Sequence, residues 1–82
     1  MKVYGHVVCD VAIGRTFEEV VKNTNFTTRQ VEIRLSAKGV HKDACYRAAD
    51  RLVQKWKDEG KIFYDKGNQC WRDIKHYDAI YG

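Results

Sequence analysis

Between residues 3 and 13 the chain alternates, with Val3, Val7, Cys9, Val11 and Ile13 apolar and Lys2, His6 and Asp10 polar. A period of two puts apolar side chains on one face of a strand. Tyr4, Val7, Val8 and Val11 also satisfy helical spacing. Gly5 and the valines lower helix propensity, so the segment leans to an N-terminal strand.

The pattern turns helical at Thr16. Thr16-Phe17-Glu18-Glu19 has the form of a capping box, in which a hydroxyl and a carboxylate three residues on satisfy the orphan amides of a helix start. It predicts a short first helix from Phe17 to about residue 23, burying Phe17, Val20 and Val21. The same chemistry recurs at Thr27-Thr28-Arg29-Gln30, opening a second helix to about Ser36 with Val31 and Leu35 on one face and Phe26 outside the cap as a hydrophobic staple. Ile33 falls opposite that face, either exposed or covered by the N-terminal segment or a second subunit.

After Ser36-Ala37-Lys38-Gly39 a third helix begins near His41 or Asp43 and continues to Glu59, where Gly60 suits a left-handed C-cap. At about 100° per residue, Cys45, Ala49, Leu52 and Trp56 share a stripe flanked by Ala48 and Val53. Asp43, Tyr46, Arg47, Asp50, Arg51 and Gln54 lie opposite, on a polar face open to a partner. Lys61-Ile62-Phe63-Tyr64 and residues 69–74 flank Asp65-Lys66-Gly67-Asn68, a β-hairpin pattern with Gly67 at the left-handed position. Residues 75–82 alternate weakly, with Tyr77, Ile80 and Tyr81 as packing residues, and predict no defined element.

A chain of 82 residues builds one core, so residues 1–82 are read as one domain with its centre at 16–74. Hydrophobic content of 44% and aromatic content of 12% suffice for collapse, and the absence of proline predicts short connections. Residues 1–14 have neither the unbroken apolar run of a signal peptide nor the length of a membrane span, so the expectation is a soluble cytoplasmic protein with no membrane partner. Cys9, Cys45 and Cys70 are odd in number and form no CxxC pair, which argues for reduced thiols on core faces. The neighbours His6/Cys9, His41/Cys45 and Cys70/His76 match no standard zinc spacing, and neither metal nor cofactor is expected. Fifteen basic residues against eleven acidic give +4, and eleven of the bases against six of the acids lie between Arg29 and Arg72. This balance favours a polyanionic partner.

Two short capped helices, a longer third helix and a hairpin directly after its terminal glycine resemble the winged helix-turn-helix family. The likeness covers residue 16 to about residue 74. It rests on Phe26-Thr27-Thr28-Arg29-Gln30-Val31, on Lys38-Gly39-Val40 in the turn, on Leu52 and Trp56, and on Gly60-Lys61-Ile62 leading into the wing. The implied fold is α+β: a three-helix winged helix-turn-helix with a C-terminal hairpin wing and an added N-terminal strand. One departure is a third helix about a turn longer than in typical relatives, unless Asp43 is its N-cap.

The resemblance implies that the third helix enters the major groove with its N-terminal half while the hairpin touches adjacent backbone. Arg47 and Arg51 then suit guanine edges, whereas Lys38, Lys42, Thr28 and Arg29 suit phosphates. His41 near the helix start is a surface or turn residue, or a base reader. Tyr46 suits a base methyl or a phosphate, and Lys66 at the hairpin tip and Arg72 on its arm supply the wing's charge. Against this, Arg47 lies four residues after Asp43 and three before Asp50, the spacing of an ion-paired helix surface. Trp56 and Trp71 are assigned to the core.

No glycine-rich phosphate loop or H-E-x-x-H pattern appears, and the cysteines sit where thiols are inert, so the chain is read as a non-enzyme. The leading expectation is a small regulator of transcription that binds double-stranded DNA, acting as a homodimer because one such domain buries little interface. Its size and simplicity suit a phage or mobile-element regulator. A winged-helix protein-interaction module and a structured-RNA binder are the competing functions.

Overall fold

The computed structural model describes residues 1–23 and 25–78. In order they form β1 (Lys2–Val3), β2 (His6–Val7), α1 (Asp10–Val21), α2 (Thr28–Ala37), α3 (Lys42–Asp58), β3 (Ile62–Asp65), β4 (Cys70–Asp73) and a short 3-10 turn, Ile74–His76. Three helices followed by an antiparallel hairpin make the expected α+β arrangement, with the layout of a winged helix.

The N-terminal segment is a hairpin rather than one strand, and it ends sooner than its alternation suggests. β1 pairs with β2 in the register Lys2↔Val7 and Val3↔His6. Tyr4 (φ 51°) and Gly5 (φ 82°) form the two-residue turn, both left-handed as such tight turns require. Val3 and Val8 point into the core, and the Val8 amide donates to the Met1 carbonyl at 2.7 Å.

From Asp10 onward the chain is helical, which corrects two expectations. Val11 and Ile13 belong to α1, and Thr16 is no cap but a fully buried residue within the helix. Cys9 is the N-cap, without a side-chain bond, and Asp10 sits in the first turn against the positive end of the helix dipole. The physical reason is packing. Ile13, Thr16, Phe17, Val20 and Val21 fall at intervals of three and four, and this stripe, rather than the local Thr-x-x-Glu pattern, decides where the helix lies. Phe17 meets the Trp56 ring edge-on at 4.9 Å, with the Lys61 ammonium 5.6 Å above the Phe17 ring.

The second helix follows its predicted signals closely. Both halves of the capping box form: the Gln30 amide donates to Thr27 Oγ1 at 3.3 Å, and the Thr27 amide donates to Gln30 Oε1 at 3.2 Å. At its other end Gly39 turns left-handed (φ 88°), while Val40 N–H donates to Leu35 C=O and Gly39 N–H to Ser36 C=O. Gly60 (φ 74°) repeats this paired closure on α3, with Lys61 N–H on Trp56 C=O and Gly60 N–H on Lys57 C=O. The two glycines fix the turn into α3 and the exit into the hairpin.

The core stripe of α3 is as expected and one residue wider: Ala44, Cys45, Ala48, Ala49, Leu52, Val53 and Trp56 are all buried. They meet Val3 and Val8, Val20, Phe26, Val31 and Leu35, and Ile62 of the wing. β3 and β4 pair in register from Ile62↔Asp73 to Asp65↔Cys70. Phe26 joins this sheet through a single bridge to Trp71, the two backbones exchanging bonds of 2.9 and 2.7 Å. Tyr77, expected to pack, lies edge-on to Phe63, while Ile80 and Tyr81 lie outside the described residues. Among the described residues no helix is long and apolar enough to cross a membrane.

The Thr16 hydroxyl is buried with no hydrogen-bond partner among the described residues. Replacing it by a methyl of similar shape removes an uncompensated polar burial, so Thr16→Val is expected to stabilise the fold by about 1 kcal/mol. Urea unfolding monitored by tryptophan fluorescence measures this, and a lowered midpoint would contradict it.

Candidate nucleic-acid interface

With its apolar half docked, α3 presents Asp43, Tyr46, Arg47, Asp50, Arg51 and Gln54 to solvent, all six exposed. The helix starts with His41 as N-cap, whose Nδ1 accepts the Asp43 amide at 3.2 Å, so Asp43 is not the cap and the long form of the helix is the real one. Lys42 and Tyr46 lead the exposed face, Tyr46 at 65% exposure. The Arg47 guanidinium lies 4.0 Å from Asp50, a loose pair in solvent that contributes at most about 1 kcal/mol and leaves the fork available. Arg51 leans sideways and donates to the Lys2 carbonyl at 3.3 Å. Neither arginine is turned inward.

Two elements border this face. On one side, α2 and α3 enclose an open cleft of about 180 Å³ lined by Arg29, Glu32, Ile33, Ser36, Lys42 and Cys45. It brings Arg29 and Lys42 together, although Arg29 also pairs with Glu32 at 3.2 Å. Ile33, at 53% exposure, is uncovered in this chain. Thr28 stands half-buried in the first turn of α2. The Cys45 thiol donates to the Val40 carbonyl, and burial pushes its pKa up, which keeps it an inert thiol. On the other side lies the N-terminal hairpin, where the His6 ring stacks on His41 with centroids 4.2 Å apart.

Along the helix itself runs a shallow groove of about 690 Å³ lined by Arg47, Asp50, Arg51, Gln54, Lys55, Asp58 and Glu59. Three bases and three acids make its lining neutral overall. Arg47 and Arg51 lie at the middle of the helix, whereas Lys55 shares the C-terminal end with the acids Asp58 and Glu59.

Several expected contacts are placed otherwise. The Lys38 ammonium, 18% exposed, bonds Glu19 Oε1 at 2.6 Å, and Arg34 lies 3.4 Å from the same oxygen, so Lys38 clamps α2 to α1 instead of facing a phosphate. These donors, Lys38 first, hold the Glu19 carboxyl below its ordinary range. Arg72 is 12% exposed and its Nε donates to Asp65 Oδ2 at 2.7 Å, so it supplies structure to the wing and not surface charge. Lys66 is exposed at the ribbon tip as expected. The left-handed residue of that loop is Gln69 (φ 52°), not Gly67. Cys9 is exposed, contrary to its expected core position, while Cys45 and Cys70 are buried.

The reason the wing loop departs from expectation is Asp65. Its buried carboxylate accepts from the Gly67 and Asn68 amides at 3.1 and 3.3 Å, from Asn68 Nδ2 at 2.8 Å and from Arg72. The loop is wound around an acid, and Gly67 contributes an amide donor to it. Sequence reasoning also missed Lys2 and His6 as neighbours of α3 and its cap, because Tyr-Gly lacks the Asn or Asp that usually announces a two-residue turn. Among the described residues no three His, Cys, Asp or Glu side chains gather as a metal site.

The Asn68 amide and then the Arg72 guanidinium hold the Asp65 carboxyl down at about 2, against an ordinary 3.8. A depressed folded-state pKa means that the wing's stabilisation is complete above pH 4 and is lost as pH falls from there through about 2. Acid titration followed by Trp71 fluorescence is expected to show this transition, and Asp65→Asn to remove it while lowering stability at neutral pH. The chain matches no family model, and comparison with curated proteins and with solved structures finds no match.

Proposed function

We propose that this chain is a small DNA-binding protein of the winged-helix type, a transcriptional regulator that places α3 in the major groove and the β3–β4 ribbon on the neighbouring backbone. The observation that carries the reading is the outer face of α3. Its N-terminal half is a fixed, solvent-facing helix surface bearing Lys42, Tyr46, Arg47 and Arg51, and a helix of that width fits the groove. Arg47 is the residue best placed for a guanine edge, with Arg51 at the border of the face. Arg29 and Lys42 converge on one cleft, and with Thr28 and Lys66 they suit phosphates. Asp50, beside Arg47, suits a cytosine amino group. Lys38 and Arg72 are left out of the contact set because carboxylates hold them. Two copies on adjacent half-sites would supply the interface that one domain lacks.

A protein partner is the second reading, favoured by one observation: the groove from Arg47 to Glu59 carries equal numbers of acids and bases. Such a face suits a partner of mixed charge better than a phosphate chain.

The two separate on titration of isotope-labelled protein with random duplex DNA at low and moderate salt. The DNA reading expects amide shifts concentrated over residues 41–54 and at Lys66, weakening as salt rises. No shift at low salt sinks it, and preference for structured RNA in competition points to the third function. Against a selected site, Arg47→Ala is expected to cost about 1–3 kcal/mol and to relax discrimination at one base pair. Lys66→Ala is expected to weaken all sequences alike and flatten the salt slope by about 1. Equal losses on every sequence from Arg47→Ala would refute base reading by that residue.

A further inference from the structure

The N-terminal hairpin has a surface that folding does not account for. Val3 and Val8 hold it in the core, and β1 packs directly on α3. Two further ties fix it there: Arg51 donates to the Lys2 carbonyl, and His6 stacks on His41, the cap of α3. Its tip is therefore rigid relative to the outer face of α3.

At that tip stands Tyr4, a bulky residue in left-handed backbone, the conformation that L side chains other than Asn, Asp and Gly adopt least readily. The ring is 71% exposed, so it contributes little to the core. An aromatic side chain held in an unfavoured conformation and pointed at solvent points to a contact outside the chain. The hairpin's own charge is basic: residues 2–9 include Lys2 and no carboxylate, in contrast to the mixed face of α3.

We infer that this hairpin is a second wing: Tyr4 and Lys2 engage the sugar-phosphate backbone of duplex DNA on the flank of α3 bordered by the hairpin. The inference rests on the DNA-binding reading above. The tyrosine hydroxyl donates to a phosphate oxygen while the ring covers the adjacent sugar, and Lys2 adds a point charge. With the β3–β4 ribbon at the far end of α3, the two arms extend the footprint beyond what α3 itself covers.

The test is binding of the full chain to a fluorescein-labelled random duplex about two helical turns long, read by anisotropy over a series of salt concentrations. Tyr4→Asn is the informative variant. Asn-Gly is the preferred pair for this turn, so the hairpin keeps its fold and gains stability while the ring is lost. Expected are an unchanged or raised melting temperature and an affinity lower by about fivefold. Lys2→Ala is expected to reduce the salt slope by about 0.9. If wild type binds the duplex and both variants bind as it does, the second wing is refuted and the reading of α3 survives. If wild type does not bind duplex DNA at low salt, both fall. If Tyr4→Asn retains DNA affinity but abolishes self-association or capture of a protein partner, the tip serves a protein contact and the inference is overturned.

Discussion

The close seating of α3 is the constraint on which the rest of the domain depends. Seven of its residues are buried, and three of these are alanines, whose small side chains let neighbouring backbone approach. α2, the N-terminal hairpin and the first wing strand all reach this one helix. A domain of this length has apolar area for only one such hub; α1 is tied to it through α2 and the Phe17–Trp56 contact, and β4 through β3. The polar face is a by-product of that seating: burying half of the helix circumference fixes the orientation of the other half without any bond to the exposed side chains.

What the sequence made legible was governed by local chemistry. Thr27 and Gln30 satisfy each other across one turn, and Gly39 and Gly60 close their helices through backbone bonds that need no distant partner. Such signals are read correctly because the same few residues both send and receive them. The α3 stripe was legible too, since its periodicity runs over many turns.

Where readings failed, a distant partner had outweighed a local signal. Thr16 looks like a cap until Phe17 and Val20 are seen to share its side of a helix that packs on α2 and sets Phe17 against Trp56. Arg72 and Lys38 look like free charge until Asp65 and Glu19, seven and nineteen residues away, are brought to them. Gly67 illustrates the same limit: the loop bends around the Asp65 carboxylate, and the strained position moves to Gln69. For the candidate interface, α3 and the wing tip were visible in advance, whereas the hairpin beside α3 was not, because Tyr4-Gly5 disguises a turn.

The bridge between Phe26 and Trp71 carries a mechanical consequence. Phe26 immediately precedes the Thr27 cap of α2, and Trp71 lies in the second strand of the ribbon, so the two are joined by a pair of peptide bonds' worth of hydrogen bonding with no intervening side chain. A load that tilts the ribbon is thereby delivered to the first turn of α2. Lengthening the chain by even one residue between Phe26 and Thr27 would uncouple that lever, and the bend at Lys66 is no freer to grow, because the Gly67 and Asn68 amides must stay within reach of Asp65.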